Sequence, residues 1–154
     1  MDIELIKTDK KKFLDLLLLA DEQESMIDKY LERGDLFACY DGDLKSVCVV
    51  TDEGDGVYEL KSIATYERYQ RQGYGVALIQ YLFSYYSGKC RTMLVGTGDS
   101  PITIPFYEKC GFTRSHIIPN FFIDNYDHPM FDNGKQLVDM IYLKKDFCQE
   151  QAFF

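Results

Sequence analysis

The feature that most constrains the fold is a glycine-containing octapeptide, QRQGYGVA (residues 70–77), which joins a β-forming segment to an apolar helical one. The preceding segment, GVYELKSIAT (56–65), is rich in β-forming residues, and the following VALIQYLF (76–83) is apolar. Glycine in a helix interior costs about 1 kcal/mol relative to alanine, so Gly73 and Gly75 at the start of a helix need an explanation. A strand, a glycine turn and a helix in succession predict a fold that mixes α and β structure.

The remaining patterns predict one sheet with helices on both faces, an α/β (α+β) arrangement. Asp41-Gly42 between two apolar runs predicts a hairpin turn. No repeat or linker divides the chain, so we expect a single domain over residues 1–154. Strands are predicted at 3–8, 56–65, 91–97 and 136–143, and a two-stranded hairpin is predicted at 35–52. Two helices are predicted within 10–33, and Gly34 should end the second of them. A third helix should run from the glycine turn to about Tyr86, and a fourth should span 100–110. Residues 117–135 are expected to form a loop-rich insert.

Composition narrows the function classes. A net charge of −8 argues against nucleic acid as a partner and fits a cationic small molecule, although a requirement for solubility alone explains it as well. The N-terminus is unlike a secretory signal, and the apolar run 13–20 is far short of the ~20 residues that a membrane span needs. Five cysteines without a C-x-x-C pair predict a reduced cytoplasmic protein with no metal site.

Residues 70–75 have the chemistry of an anion site. The first N–H groups of a helix have no intrahelical partner, and the helix dipole adds positive potential there. A dinucleotide fingerprint is excluded because its third glycine position holds Leu78, and a nucleotidase phosphate loop lacks its Gly-Lys-Ser/Thr. Close packing of a helix on a strand explains Gly73 and Gly75 equally well.

Three motifs together resemble the GNAT superfamily of acetyl-CoA-dependent N-acyltransferases. QRQGYG (70–75) resembles the family's pyrophosphate loop, ELKSIAT (59–65) resembles the strand before it, and FYEKCGF (106–112) resembles the family's Phe-Tyr-Glu-Lys-x-Gly-Phe signature. The resemblance covers nearly the whole chain and extends to a small bacterial subgroup. It implies a mixed central sheet of about six to seven strands flanked by about four helices.

The resemblance implies that acetyl-CoA is the cofactor. Backbone groups at the end of the strand should pair with the pantetheine amides, and the loop should hold the pyrophosphate. Ser100 stands where most relatives carry an asparagine that contacts pantetheine, and a plain helix N-cap is an equally good account of it. The implied coenzyme-binding residues are Ile63, Ala64, Thr65, Gln70, Arg71, Gln72, Gly73, Tyr74, Gly75, Ser100 and Tyr107.

Tyr107 is the candidate general acid. Attack of an amine on a thioester expels a thiolate, and a phenol of pKa near ~10 can protonate that sulfur. The resemblance places the family's catalytic tyrosine at this position. An interior tyrosine with a satisfied hydroxyl is the alternative, and Pro105 could re-aim the side chain because it removes a helical hydrogen bond.

Glu59 is the candidate general base, because an alkylamine arrives protonated and must lose a proton before it attacks. By the period-two rule Glu59 shares a strand face with Ile63, and several relatives carry a glutamate base at the corresponding position. A solvated strand-edge glutamate is the alternative. His116 and His128 are further candidates for the base.

The acceptor is expected to be a small-molecule amine. Carboxylates beside aromatic rings suit an organic ammonium, whereas an acidic loop that covers a core would have the same composition. A protein amine as acceptor, and an acyl-CoA-binding protein without turnover, are the alternatives. Neither nucleic acid nor a membrane is expected as a partner, and a homodimer is left open. The candidate acceptor residues are Asp21, Glu22, Asp124, Asp127, Asp132, Phe121, Phe122, Tyr126 and Phe131.

Overall fold

The computed structural model describes residues 1–147. The strands in this range are β1 (Asp2–Ile6), β2 (Asp35–Asp41), β3 (Asp43–Gly54), β4 (Val57–Thr65), β5 (Thr92–Thr97), β6 (Thr113–Ile118), β7 (Phe131–Asp132), β8 (Lys135–Gln136) and β9 (Met140–Asp146). The helices are α1 (Leu14–Leu17), α2 (Glu24–Ile27), α3 (Tyr74–Tyr85), α4 (Thr103–Lys109) and α5 (Phe121–Asn125), with single 3-10 turns at Lys10–Phe13 and Glu67–Tyr69.

Seven strands form one mixed sheet in the order β1-β2-β3-β4-β5-β9-β6, and β7 pairs with β8 in a separate small hairpin. Strands β1 to β4 are antiparallel neighbours, β4 and β5 are parallel, and β9 lies antiparallel between β5 and β6. A parallel pair needs a crossover connection, and α3 provides it between β4 and β5. The predicted α/β class is confirmed.

Both faces of the central strands are buried under different helices. Phe37 belongs to a buried cluster with side chains of α3 and α4, such as Leu82 and Ile104. Its neighbour Leu36 points to the opposite face and packs in a second cluster with Leu17 and others from the α1–α2 region. A strand that is covered on both faces has a continuous apolar run instead of an alternating pattern, as the VCVV run of β3 shows.

The elements with local turn signals were predicted correctly. The hairpin of β2 and β3 turns at Gly42, whose φ is 82°, and the strand, glycine turn and helix around residue 73 form as expected. The predicted helices within 10–33 are shorter in the structure, since α1 and α2 span four residues each. Gly34 does not end a helix. A Cβ there would lie 2.6 Å from a methyl of Val49, so this glycine permits a close approach to β3.

The region after residue 112 differs most from the prediction. β6 is an edge strand whose six residues are all exposed, so it carries none of the apolar alternation that marks a half-buried strand. The predicted loop-rich insert contains α5 and the β7–β8 hairpin. The last strand, predicted at 136–143, begins at Met140 and extends to Asp146.

The cysteines of the described range are packing residues. Cys39, Cys48, Cys90 and Cys110 are free and buried, and burial raises the pKa of each thiol. Cys148, the fifth, lies outside the described residues. Among residues 1–147 no helix is long and apolar enough to cross a membrane.

A buried lysine organises the chain between α2 and β2. Lys10 is 7% exposed, and its Nζ donates to the carbonyl oxygens of Leu31 (3.2 Å), Glu32 (3.1 Å) and Gly34 (2.6 Å). These carbonyls lie in irregular turns, where the lysine ammonium satisfies them in place of a regular ladder. The contact fixes the α1–α2 region against the sheet.

We expect Lys10→Met to lower the free energy of unfolding by about 3 kcal/mol, because it leaves buried carbonyls without their charged donor. Urea unfolding at neutral pH measures the change. Lys7→Met is the control, since Lys7 is exposed, and it should shift stability by no more than about 0.5 kcal/mol. Equal stability of the two variants would show that the Lys10 contacts contribute nothing.

Candidate active site

The site is built around a gap between β4 and β5. The two strands pair from Val57 to Leu60 of β4, although β4 continues to Thr65. On its other edge β4 keeps its pairing with β3 as far as Thr65. The edge that faces the gap therefore presents backbone N–H and C=O groups that β5 does not pair. An extended ligand with amide groups can add to this edge as a short strand would.

A β-bulge divides β4 at the point where the gap opens. Two successive residues of β3 pair with Leu60 and Ser62, which leaves Lys61 as the extra residue. A bulge interrupts the alternation of side chains, and Leu60 and Ile63 consequently pack on the same face, against α3. Glu59 lies on the opposite face. The expectation that Glu59 and Ile63 share a face is wrong because it assumed an uninterrupted period of two.

Residues 70–75 form the turn into α3. Arg71 and Gly73 have φ values of 64° and 92°, in the left-handed region. Regular helical bonding starts where Ala77 N–H donates to the Gly73 carbonyl at 2.9 Å, and within the described chain the N–H groups of residues 71–76 have no protein acceptor. A Cβ on Gly73 would meet no atom within 4 Å. The N–H groups of this turn are therefore accessible to an anionic ligand.

The polar side chains of the turn are held by the protein itself. Gln70 Nε2 donates to the Thr65 carbonyl at 3.1 Å, and Gln72 Nε2 donates to the Arg68 carbonyl at 3.2 Å. The first of these bonds ties the turn to the end of β4. The backbone of the turn, more than its amide side chains, thus supplies unpaired donors.

The β2–β3 hairpin supports the same turn from one side. The Tyr69 hydroxyl donates to Asp43 at 2.9 Å and the Tyr74 hydroxyl to Asp41 at 2.8 Å. Lys45 pairs with Asp43 at 2.6 Å and lies 3.5 Å from the centre of the Tyr69 ring. Tyr74, predicted to bind the coenzyme, therefore uses its hydroxyl to hold the turn against the hairpin.

The two glycines of the turn have different functions. Gly73 permits a positive φ, as described above. Gly75 has no positive φ, but a Cβ on it would lie 3.2 Å from the ring of Phe106 on α4. Close packing of α3 against α4 therefore explains Gly75, and the alternative that the sequence left open holds for this residue.

Ser100 acts as a helix cap. It is 3% exposed, and its Oγ accepts hydrogen bonds from the N–H groups of Ile102 (3.2 Å) and Thr103 (3.1 Å) at the start of α4. Pro105 falls in the first turn of α4, where a helix does not need its N–H, so the proline leaves the helix regular. The capped helix gives Tyr107 a fixed position.

Tyr107 lies on α4 with its ring in the buried cluster beneath α3. Burial raises the pKa of its hydroxyl above the ordinary value near 10. Among residues 1–147 the hydroxyl has no hydrogen-bond partner, and the residue lines the main cleft of the protein. A protonated phenol that is buried yet open to a cleft can donate its proton to a bound ligand.

The cleft has a volume of about 530 Å³ and extends from the β4–β5 gap to the α1–α2 connection and the insert. Its size suits a small organic ligand. Seven of the nine predicted acceptor residues line it, whereas Asp124 and Asp127 do not. The charged lining residues are Asp21, Glu22, Glu59 and Asp132 with Lys29, Arg33 and Lys61, and the aromatic ones are Tyr30, Tyr107, Phe121, Phe122, Tyr126, Phe131 and Tyr142.

Glu59 is a buried carboxylate in this cleft, 8% exposed. Its Oε2 accepts a hydrogen bond from the Tyr142 hydroxyl at 2.9 Å and pairs with Lys61 Nζ at 3.2 Å. The expectation of a merely solvated strand-edge glutamate does not describe this environment. Tyr142 was missed from the sequence, because it lies 83 residues away along the chain and no local pattern links the two.

Asp21, which lines the cleft, links the segment between α1 and α2 to the insert. Its carboxylate accepts hydrogen bonds from the hydroxyls of Tyr126 (2.9 Å) and Tyr30 (3.3 Å). Burial raises the pKa of Asp21, and the hydrogen bonds only partly oppose this. A half-buried carboxylate between two aromatic rings can accept an organic cation.

Neither histidine proposed as an alternative base lines the cleft. His116 lies on β6 and stacks on the outer side of the Tyr142 ring, with a centroid distance of 4.8 Å. His128 bridges Asp127 and Glu22, which hold the insert against the α1–α2 connection, and its hydrogen bonds to these carboxylates raise its pKa. His128 therefore has a structural position outside the reacting centre.

Comparisons with known proteins show the family of this chain. The model of the "Acetyltransferase (GNAT) family" matches residues 5–112. An uncharacterized N-acetyltransferase of Bacillus subtilis, YvbK, is 37% identical over 149 residues, which cover 94% of this chain and 95% of the relative.

Solved structures are similar over nearly the whole chain. A GNAT acetyltransferase from Elizabethkingia anophelis with acetyl-CoA bound is 33% identical, with a TM-score of 0.89 over 95% of this chain and 97% of that one. A Bacillus subtilis acetyltransferase in complex with CoA is 36% identical, with a TM-score of 0.87 over 95% and 98%. We conclude from the sequence motifs, the gapped sheet and these relatives that the chain belongs to the GNAT family of acetyltransferases, whose acetyl donor is acetyl-CoA.

Proposed function

We propose that the protein transfers an acetyl group from acetyl-CoA to a primary amine of a small molecule, by direct attack within a ternary complex. The observation that carries this proposal is the cleft itself, which extends from the β4–β5 gap and which both Tyr107 and Glu59 line. Release of free thiol from acetyl-CoA in the presence of a panel of amines tests it. Coenzyme binding without thiol release for any amine would favour an acyl-CoA-binding protein instead.

The coenzyme would be held mainly by backbone groups. The free edge of β4 at Ile63, Ala64 and Thr65 fits the two amides of a pantetheine arm, because it offers alternating donors and acceptors. The N–H groups of residues 71–76 at the N-terminus of α3 fit a pyrophosphate. When bound, acetyl-CoA supplies the thioester that the acceptor attacks.

We expect Gly73→Leu to weaken acetyl-CoA binding by at least about tenfold, because a side chain would cover the N–H groups and the residue would resist the positive φ. Calorimetric titration measures the Kd. Gly88→Leu is the matched control, since Gly88 has the same φ of 92°, also has no atom within 4 Å of its Cβ, and lies beyond the other end of α3. We expect the two variants to lose similar amounts of stability, whereas only Gly73→Leu should raise the Kd for acetyl-CoA. Equal Kd values would remove the turn from the coenzyme site.

Tyr107 would act as the general acid. When the tetrahedral adduct collapses, the carbon–sulfur bond breaks and the phenol proton passes to the leaving sulfur. The raised pKa keeps this proton on Tyr107 at neutral and moderately alkaline pH. The fixed position on α4 holds the hydroxyl in the cleft without a competing protein partner among the described residues.

We expect Tyr107→Phe to lower kcat by about 10²-fold and to leave the acetyl-CoA Kd nearly unchanged, because only the proton donor is removed. Since burial raises the pKa of Tyr107, wild-type activity should not decline on the alkaline side up to about pH 9. Steady-state kinetics and calorimetry together give both values. A kcat equal to that of wild type would make Tyr107 a packing residue.

Glu59 would accept the proton of the acceptor amine, directly or through water. The amine is expected to lie between Glu59 and the aromatic and acidic residues of the insert and the α1–α2 connection. Asp21 and Asp132 carry no cation partner among residues 1–147, whereas Glu59 is paired with Lys61 and Arg33 with Glu53. Two carboxylates that have no cationic partner in the described residues and lie beside aromatic walls support a cationic acceptor.

We expect activity to rise with pH in the acidic range and Glu59→Gln to flatten this rise, because an amide cannot accept the proton. Higher salt should raise the acceptor KM more than the acetyl-CoA KM, since screening weakens the attraction of a cation to the cleft. A pH–rate profile at two ionic strengths measures both effects. An unaltered profile in Glu59→Gln would leave the base unassigned, and an anionic best acceptor would refute the electrostatic part.

A further inference from the structure

The two oxygens of the Glu59 carboxylate have different surroundings. The Tyr142 hydroxyl (2.9 Å) and Lys61 Nζ (3.2 Å) both contact Oε2. Among residues 1–147 Oε1 has neither a hydrogen-bond nor an ion-pair partner, and it is not among the buried polar atoms that lack one. Oε1 is therefore accessible from the cleft that Glu59 lines.

Tyr142 reaches Glu59 by crossing a strand. Glu59 is on β4 and Tyr142 on β9, and β5 lies between them. The residue of β5 that pairs with Tyr142 is Gly96. A Cβ on Gly96 would lie 3.0 Å from Cζ of the Tyr142 ring, so the absence of a side chain there lets the ring lie over β5.

The Tyr142 ring is fixed from its other side as well. His116 on β6 stacks on it with an interplanar angle of 3°. Tyr142 is 8% exposed, and burial, with the nearby Glu59 charge, raises the pKa of its hydroxyl. The hydroxyl therefore stays protonated and donates to Glu59 throughout the range in which the enzyme would work.

We propose that Tyr142 is a positioning residue of the acetyl transfer, which together with Lys61 anchors Oε2 of Glu59 so that Oε1 faces the acceptor amine. The proposal rests on the function of Glu59 as the general base. Within the described residues, the Glu59 carboxylate receives these contacts only from Tyr142 on β9 and Lys61 on its own strand. Tyr142 does not itself exchange a proton with the substrate.

The anchor restrains the carboxylate, because a hydrogen bond to a charged oxygen is stronger than one between neutral groups. Without the Tyr142 donor, Lys61 alone would hold the Glu59 carboxylate. The charged and titratable groups around it are Lys61 on its own strand, Glu53 on β3 with its partner Arg33, and Tyr142 with His116 behind it. Tyr142 contacts Glu59 directly and can be changed without altering a formal charge.

The test is Tyr142→Phe, with acetyl-CoA and 2-phenylethylamine as the probe pair. We expect kcat for the amine to fall about tenfold, the effect of losing a hydrogen bond to a charge, while the amine KM changes by less than about twofold. The acetyl-CoA Kd should not change. Carbon-13 NMR of the Glu59 carboxyl at one fixed pH should show a changed chemical shift, a readout that does not depend on any acceptor.

Two controls separate positioning from a general loss of structure. Tyr86→Phe deletes a similar bond, the 2.6 Å contact of the Tyr86 hydroxyl with Asp35, outside the cleft. His116→Phe keeps an aromatic ring on Tyr142 but removes the titratable group. Both variants should keep the wild-type kcat and the wild-type chemical shift of the Glu59 carboxyl. An equal loss of kcat in His116→Phe would assign the effect to the histidine and overturn the proposal.

A double variant that combines Tyr142→Phe with Glu59→Gln separates the positioning function of Tyr142 from the function of Glu59 as the base. If Tyr142 acts through Glu59, Tyr142→Phe should cause no further loss in the Glu59→Gln background. Additive losses, or an unchanged chemical shift of the Glu59 carboxyl in Tyr142→Phe, would overturn the positioning function while leaving Glu59 as the base. Wild-type kinetics in Glu59→Gln would instead refute the base, and the positioning function with it.

Discussion

The arrangement of the site depends on the failure of β4 and β5 to pair beyond Leu60. A regular ladder would satisfy the backbone of both strands and leave no place for a ligand at the centre of the sheet. The bulge at Lys61 marks the position where β4 departs from this ladder while it stays paired with β3. The sheet thereby gains an internal edge, and internal edges are protected from the aggregation that exposed outer edges risk.

The sequence predicted the parts of the site that are local. The strand, turn and helix around Gly73 and the FYEKCGF signature lie on contiguous segments, and their geometry follows from turn and capping chemistry that a short window contains. The face of Glu59 was wrong because an extra residue in one strand can be recognised only when its partner strand is known. Tyr142 was missed for a similar reason, since its contact with Glu59 depends on strand order.

The charges of the cleft also depend on long-range pairing. The lining carries four carboxylates and three cationic side chains, so it is far closer to neutral than a net charge of −8 suggests. Lys61 is paired with Glu59 and Arg33 with Glu53, and His128 contacts Glu22. In the described residues this leaves Asp21 and Asp132 to attract a cationic acceptor, as proposed, and Lys29 to oppose it. Attraction of a cationic acceptor would thus be a local property of these few side chains, and the overall charge would contribute mainly to solubility.

In the proposed mechanism, the gap would let one chain keep a proton donor and a proton acceptor on opposite faces of the sheet while both line one cleft. Tyr107 packs with α3 and α4 on one face of the sheet, and Glu59 lies with Tyr142 on the other. If the sheet were closed, the two groups would be separated by its backbone. Because β4 and β5 diverge, a thioester in the gap would have the phenol on the side of its sulfur and the carboxylate on the side from which an amine arrives. Direct attack requires this geometry, since one proton must leave the nucleophile and another must reach the leaving group.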